Sequence, residues 1–271
     1  MALFELKGGR CGYGNHVVLD GVDLSVDSGE VVCILGSNGV GKSTLFKSML
    51  GLIPLIKGSL TIHDESILNW SRKKIARYIG YVPQAMVPHF NYSVFDAVVM
   101  GRTAHLGSFS SPSERDEEIS MDAICRLGIE GLIHKNLSEI SGGEKQLVVL
   151  ARALAQQPEI LIMDEPTAAL DFGNQQLVLE HIYNLSRDGL SIIMASHFPD
   201  HAFLYAHRSV LLKDGKIYSS GKSEEVITEK SLYDLYHVDA KIIESDLISP
   251  LTKIKIKTCI PVGAIYLGDE S

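Results

Sequence analysis

The sequence predicts an α/β fold: a parallel sheet carrying a phosphate-binding loop, with a small antiparallel β subdomain beside it and a helical subdomain inserted into it. Three observations predict this. Val31-Val32-Cys33-Ile34-Leu35, a short β-branched apolar run, leads directly into Gly36-Ser37-Asn38-Gly39-Val40-Gly41-Lys42-Ser43-Thr44. Two later apolar runs, Ile160 to Met163 and Ser191 to Ala195, are separated by helix-compatible sequence, the pattern of parallel strands joined by crossovers. The first of them ends in Asp164-Glu165, which puts two carboxylates at the sheet edge where ligands bind.

Taken in order, residues 3 to about 30 offer short alternating segments, among them Val22 to Val26, closed by the turn Asp27-Ser28-Gly29-Glu30. With Ser59-Leu60-Thr61-Ile62 these make the small antiparallel sheet. Between them the run from Val31 to Leu35 is a buried strand, and a helix runs from Lys42 to about Leu50. Residues 85 to 156 are rich in helix-compatible sequence and separate the phosphate loop from the acidic strand end, so they read as the inserted lobe. Ser141-Gly142-Gly143-Glu144 opens a helix through Leu147, Leu150, Ala151 and Leu154. Val178, Ile182 and Leu185 share one face of a helix from Gln176 to Arg187, which Gly189 stops. Residues 209 to 219 form a hairpin about Asp214-Gly215. In the tail, Lys253-Ile254-Lys255-Ile256-Lys257 alternates as an edge strand whose lysines discourage aggregation, or as a contact for anionic lipid or a second subunit.

With 271 residues, 45% hydrophobic and 21% charged, the chain can form one large core or a core with an inserted lobe. The N-terminus lacks a basic stretch followed by an apolar one, so no signal peptide is expected, and no window approaches the roughly 20 apolar residues of a membrane span. Any membrane association is therefore expected to be peripheral. Cys11, Cys33, Cys125 and Cys259 stand too far apart for a metal or redox pair and read as reduced structural thiols. A formal net charge of −8 disfavours a nucleic-acid surface, which needs Lys and Arg to neutralise phosphates.

The loop chemistry follows from residue type. Gly36, Gly39 and Gly41 let successive N–H groups and a helix N-terminus converge on one anion. Lys42 can reach the β- and γ-phosphates, and Ser43 can hold Mg²⁺. Adjacent acids on a strand point to opposite faces, so Asp164 is expected to support the Mg²⁺ shell and Glu165 to polarise the water that attacks the γ-phosphate. Ser141, Gly142 and Gly143, at a helix start, form a second anion site. His197 and His201 lie four apart, but Pro199 disfavours helical geometry at Phe198, so a metal pair there is not expected.

The ordered set of motifs resembles the ATP-binding subunits of ABC transporters from about residue 3 to about residue 240. The resemblance implies a P-loop NTPase core, an ATP-binding domain over 1–240 with the helical subdomain (about 85–156) inserted, and a C-terminal extension over 241–271. It implies ATP and Mg²⁺ as cofactors. Loop residues Gly36, Ser37, Asn38, Gly39, Gly41, Lys42, Ser43 and Thr44 would hold the nucleotide, as would Ser141, Gly142, Gly143 and Asp171 of Ala169-Leu170-Asp171. Tyr13 stands where the family stacks a ring on adenine, although a Tyr between Gly12 and Gly14 also reads as a turn residue. Mg²⁺ would be held by Ser43, Gln84 and Asp164, and catalysis carried by Lys42, Gln84, Glu165 and the switch histidine His197. Ile140 and Glu144 depart from the usual leucine and glutamine of the signature, changes that keep apolar volume and suit a helix start.

As partners the resemblance implies a second copy, head to tail, so that the loop of one and Ser141 to Gly143 of the other enclose each ATP. It also implies two copies of a multi-spanning permease and, indirectly, a substrate-binding protein, with no nucleic acid. That places the chain at the cytoplasmic face of the inner membrane. The segment from Pro88 to Gly107, with its Val99-Met100-Gly101-Arg102-Thr103-Ala104-His105-Leu106-Gly107, is similar to the importer branch serving iron–siderophore, haem, cobalamin and some oxyanion uptake, molybdate included. Gly101-Arg102 also reads as a helix-ending pair whose arginine satisfies carbonyls. The competing class is the soluble ATPase of iron–sulphur cluster assembly, which the same segment discriminates. A GTPase is disfavoured by the lack of an Asn-Lys-x-Asp motif.

Overall fold

Burial on both faces makes the central sheet. Val31, Cys33 and Leu35 face one apolar cluster while Val32 and Ile34 face another, and Leu161 and Met163 oppose Ile160 and Ile162 in the same way. The computed structural model describes residues 2–84, 91–107 and 110–264. Along the chain, β1 (Phe4–Tyr13), β2 (His16–Val26) and β3 (Val31–Leu35) precede α1 (Lys42–Met49), and β4 (Lys57–Ile62), β5 (Glu65–Ser66), α2 (Arg72–Tyr78) and β6 (Ile79–Val82) follow. Next come α3 (Val94–Val99), α4 (Glu114–Arg126) and α5 (Gly142–Ala155), then β7 (Ile160–Asp164), α6 (Phe172–Arg187), β8 (Ser191–Ser196) and α7 (Pro199–Tyr205). The hairpin of β9 (Arg208–Lys213) and β10 (Lys216–Lys222) leads to α8 (Ser223–Val226), α9 (Glu229–Tyr236), β11 (Val238–Ile248) and β12 (Lys255–Ala264).

The main sheet has the order β10-β9-β3-β8-β7-β6, parallel except for the β9–β10 hairpin. A four-stranded antiparallel sheet, β2-β1-β4-β5, packs with α1 against one face. The lobe helices α3, α4 and α5 join α6, α7 and α9 on the other. Among the described residues the last two strands pair only with each other.

Inside the lobe, Arg102 is buried. Its Nη1 donates to the Ala155 carbonyl at 2.8 Å, as a helix-ending arginine that satisfies carbonyls would, and its Nε donates to Asp116 Oδ1 at 2.9 Å. Gly101 admits the close approach, because a Cβ there would lie 2.1 Å from the Arg152 carbonyl oxygen.

Three expectations are corrected. Glu165 is not a strand residue: β7 ends at Asp164 and Glu165 has φ 52°, so the two acids part through a backbone turn and not through strand alternation. Helix α6 begins at Phe172, not Gln176, because the Asp171 side chain caps it by accepting from the Asn174 amide at 2.9 Å. The tail strand begins at Lys255, since Lys253 has φ 63° in the preceding turn. Lys255 and Lys257 share a face and reach Glu244 on β11 at 3.4 and 3.3 Å. Residues 88–90 of the segment read as an importer signature, and 265–271 of the C-terminal extension, lie outside the described residues.

Candidate nucleotide site

Four neighbouring parallel strands, β3, β8, β7 and β6, each deliver one part of a site at their carboxyl ends, as open α/β sheets do. β3 delivers the glycine loop, β8 delivers His197, β7 delivers Asp164 and Glu165, and β6 delivers Gln84.

The loop glycines have separable reasons. Gly41 caps α1 with φ 112°, and a Cβ there would lie 2.9 Å from the Leu19 side chain. Gly39 has φ 78° with open space around it, so conformation alone selects it. A Cβ on Gly36 would lie 2.7 Å from the Leu212 carbonyl oxygen. Lys42, buried, folds over the loop, its Nζ donating to the Gly36 carbonyl at 2.7 Å and the Ser37 carbonyl at 3.2 Å. Ser37 and Asn38 line a neighbouring cavity with His197 and with Tyr236 and His237 from the end of α9. Thr44 is buried in the first turn of α1.

Glu165 is where the parts meet. Its Oε1 lies 2.5 Å from His197 Nε2 and 3.8 Å from Lys42 Nζ, and its Oε2 accepts from Gln84 Nε2 at 2.8 Å. Asp164 is paired instead with Ser43, whose hydroxyl favours its ionised carboxylate. Burial lifts the Asp164 carboxyl above its ordinary range, against the Ser43 hydrogen bond, and burial likewise pulls the Lys42 ammonium down, against the charges of Glu165 and Asp164. A hydroxyl and a buried carboxylate side by side are hard oxygen donors, the set that suits Mg²⁺.

The structure brings together Lys42, Ser43, Gln84, Asp164, Glu165 and His197. Ser141, Gly142 and Gly143 stand apart, at the head of α5: Ser141 accepts from the Glu144 amide at 3.2 Å and its own amide donates to Glu144 Oε2 at 2.7 Å. Among the described residues no hydrogen bond joins them to the glycine loop. Gly143 is fixed by packing, since a Cβ would meet the Asn174 side chain at 2.3 Å, and Asn174 Nδ2 donates in turn to Asp171 Oδ2 at 2.8 Å. Gly142 has no such neighbour within 4 Å among the described residues. Tyr13 ends β1, half exposed, in a tight hairpin to His16.

Sequence reasoning missed Ser196 and His201, which knot the backbone around His197. Ser196 Oγ accepts from the Phe198 amide at 3.0 Å and lies 3.2 Å from His201 Nδ1. The His197/His201 spacing was the one available signal. It also missed a groove between core and lobe, about 780 Å³, lined by Leu52, Arg72, Lys73, Met100 and Leu106, with Leu52 and Met100 exposed. Among the described residues no helix is long and apolar enough to cross a membrane.

The family described as ABC transporter matches residues 19–168. An uncharacterized ABC transporter ATP-binding protein of Haemophilus influenzae is 36% identical over 93% of this chain and 95% of its own length. The hemin import ATP-binding protein HmuV of Streptomyces coelicolor is 36% identical over 84% of this chain and 80% of its own. A chain from an inward-facing transporter assigned to the metal-chelate type superposes with a TM-score of 0.85, at 26% identity, over 97% of this chain and 98% of that one.

Proposed function

Because the chain belongs to the family of ABC transporter ATP-binding subunits, we propose that it powers an importer for a metal chelate (iron–siderophore, haem or cobalamin) or an oxyanion such as molybdate. As a member of that family it binds ATP and hydrolyses it. The observation that supports the reading most is the convergence of Gln84 and His197 on Glu165 beside Lys42, which fits a carboxylate held ready for a water molecule at the γ-phosphate. The loop amides and Lys42 hold the β- and γ-phosphates, and His197 and Gln84 orient the Glu165 carboxylate as it takes the proton of the attacking water. Ser43, Asp164 and Gln84 would hold Mg²⁺, which when bound neutralises phosphate charge. Tyr13 would stack on adenine.

Residues 1–240 make the ATP-binding unit, with the lobe of about 85–156 inserted and 241–271 as an extension. Two copies assemble head to tail, and the signature residues Ser141, Gly142, Gly143 and the Asp171 loop of each complete the site of the other. The groove with Leu52 and Met100 offers apolar surface for a short helix of a multi-spanning permease, two copies of which would hold the pair peripherally at the cytoplasmic face of the membrane, with a substrate-binding protein on the far side. Haem import by the Streptomyces relative and the metal-chelate neighbour favour a chelate as cargo.

The test is to tag the Glu165→Gln form in its native cells, solubilise the membranes gently with ATP present, and identify what co-purifies. A stoichiometric multi-spanning protein is expected. A soluble scaffold, with the membrane fraction empty, would move the chain to the cluster-assembly class.

A further inference from the structure

The C-terminal hairpin is bolted to the helix that follows His197. Ile242 and Cys259 pair directly across β11 and β12, and their amides turn away from each other, outward from the ribbon. One outward amide, that of Ile242, reaches Glu229 on α9 at 3.4 Å. The other, that of Cys259, donates to Asp200 Oδ1 at 2.7 Å, and the Thr258 hydroxyl donates to Asp200 Oδ2 at 3.2 Å. Asp200 is the second residue of α7, three beyond His197, and among the described residues its side-chain hydrogen bonds run to the hairpin and not to amides of its own helix.

From Asp200 the contacts continue without a gap to the reacting carboxylate. The His201 amide donates to the Phe198 carbonyl at 3.2 Å, and the two rings lie 4.9 Å apart. Ser196 Oγ takes the Phe198 amide and faces His201 Nδ1, so residues 196 to 201 form one closed turn. His197 rides on that turn with its Nε2 at Glu165 Oε1. The glycine loop belongs to a different connection, between β3 and α1, and Lys42 opens α1.

We propose that Asp200 is a positioning residue for ATP hydrolysis: by clamping the first turn of α7 to the C-terminal hairpin it holds His197 against Glu165. The inference rests on the assignment of His197 and Glu165 to hydrolysis. It gives the C-terminal extension a function, and it predicts a split between turnover and binding, because the clamp holds the switch turn and not the phosphate loop.

Full-length variants decide it, with turnover read by phosphate release and affinity by equilibrium ATP binding. Asp200→Ala should lower kcat about tenfold, within the range by which residues remote from a site modulate it, and leave ATP affinity within about twofold. Asp200→Asn keeps an acceptor for the Cys259 amide and should restore most of kcat. Thr258→Val, which removes one hydroxyl, should lower kcat a few-fold alone and not at all in the Asp200→Ala background. Wild-type kcat in Asp200→Ala would overturn the clamp, as would a parallel loss of kcat and affinity that Asp200→Asn fails to rescue. His197→Ala is the control: normal turnover there would locate the failure in the underlying assignment, whereas an inactive His197→Ala beside a fully active Asp200→Ala would locate it in the clamp.

Discussion

Glu165 holds a left-handed backbone, φ 52°, uncommon for a residue with a Cβ, and its carboxylate is fixed by its surroundings. Those surroundings are Gln84 and His197, one on each carboxylate oxygen, with Lys42 behind. Glu165→Gln keeps the shape and removes the base, so kcat should fall by roughly 10²- to 10⁴-fold while ATP binding persists; phosphate release set against nucleotide binding measures both. Lys42→Ala has the opposite signature. It deletes a charge-assisted phosphate contact, and ATP affinity itself should drop. His201 gives a third expectation, in pH. Burial pulls its imidazole down to about 4, with the neighbouring Asp200 charge opposing, against about 6.5 in an unfolded chain. Between those values the unfolded state binds a proton that the folded state refuses, so this contribution to stability is complete above pH 6.5 and is lost as pH falls towards 4. In His201→Gln the urea midpoint should differ less between pH 7.5 and pH 5 than it does in the parent; an unchanged difference would remove His201 from the acid sensitivity.

Two ion pairs show how elements are joined at different strengths. Arg102 and Asp116 are both buried within the lobe, and Asp116 also accepts the Ser113 hydroxyl and amide, which with Arg102 holds its carboxyl well below the usual carboxylate range. Asp116→Ala leaves a buried guanidinium without its partner and should cost about 3–5 kcal/mol in urea unfolding. Arg126–Asp188, 2.7 Å apart but exposed, joins lobe to core, and Asp188→Ala should cost no more than about 1 kcal/mol. Elements differ in legibility for related reasons. β3, β7 and β8 are buried on both faces and stand out as continuous apolar runs, and α1 is announced by the glycines before it. β1 and β2 read only as short alternating segments, their bounds blurred because Gly8, Gly9 and Gly12 interrupt the alternation at the places where their register shifts. β11 is hidden because its outer positions are exposed and its partner lies beyond a turn. At the site, residue types and order picked out Lys42, Ser43, Gln84, Asp164, Glu165 and His197, which the fold brings together. The meeting of Gln84 with Glu165 across 81 positions, the left-handed turn at Glu165 and the Ser196–His201 knot depend on strand order, which no local pattern carries.

At the scale of the whole molecule the unresolved demand is at Gly142. Gly143 next to it is glycine because Asn174 fills the space, but among the described residues nothing beyond its own helix and chain neighbours lies within 4 Å of a Cβ on Gly142, and Phe172 beside the Asp171 loop is 88% exposed. A glycine without an internal cause, at a capped helix start, and a bare aromatic ring nearby suit a surface that closes on a second copy carrying nucleotide. Two variants that are inactive for different reasons test this. Lys42→Ala spoils the loop and leaves the signature; Ser141→Arg spoils the signature and leaves the loop. In a mixed head-to-tail pair, one site combines both defects and the other combines both intact halves. Each variant alone should therefore hydrolyse almost nothing, and an equimolar mixture, in which half the pairs are mixed and each has one of two sites whole, should recover up to about a quarter of the wild-type rate per chain. If every site lay within a single chain, mixing would restore nothing, and a mixture as inactive as its components would leave Gly142 to some other partner.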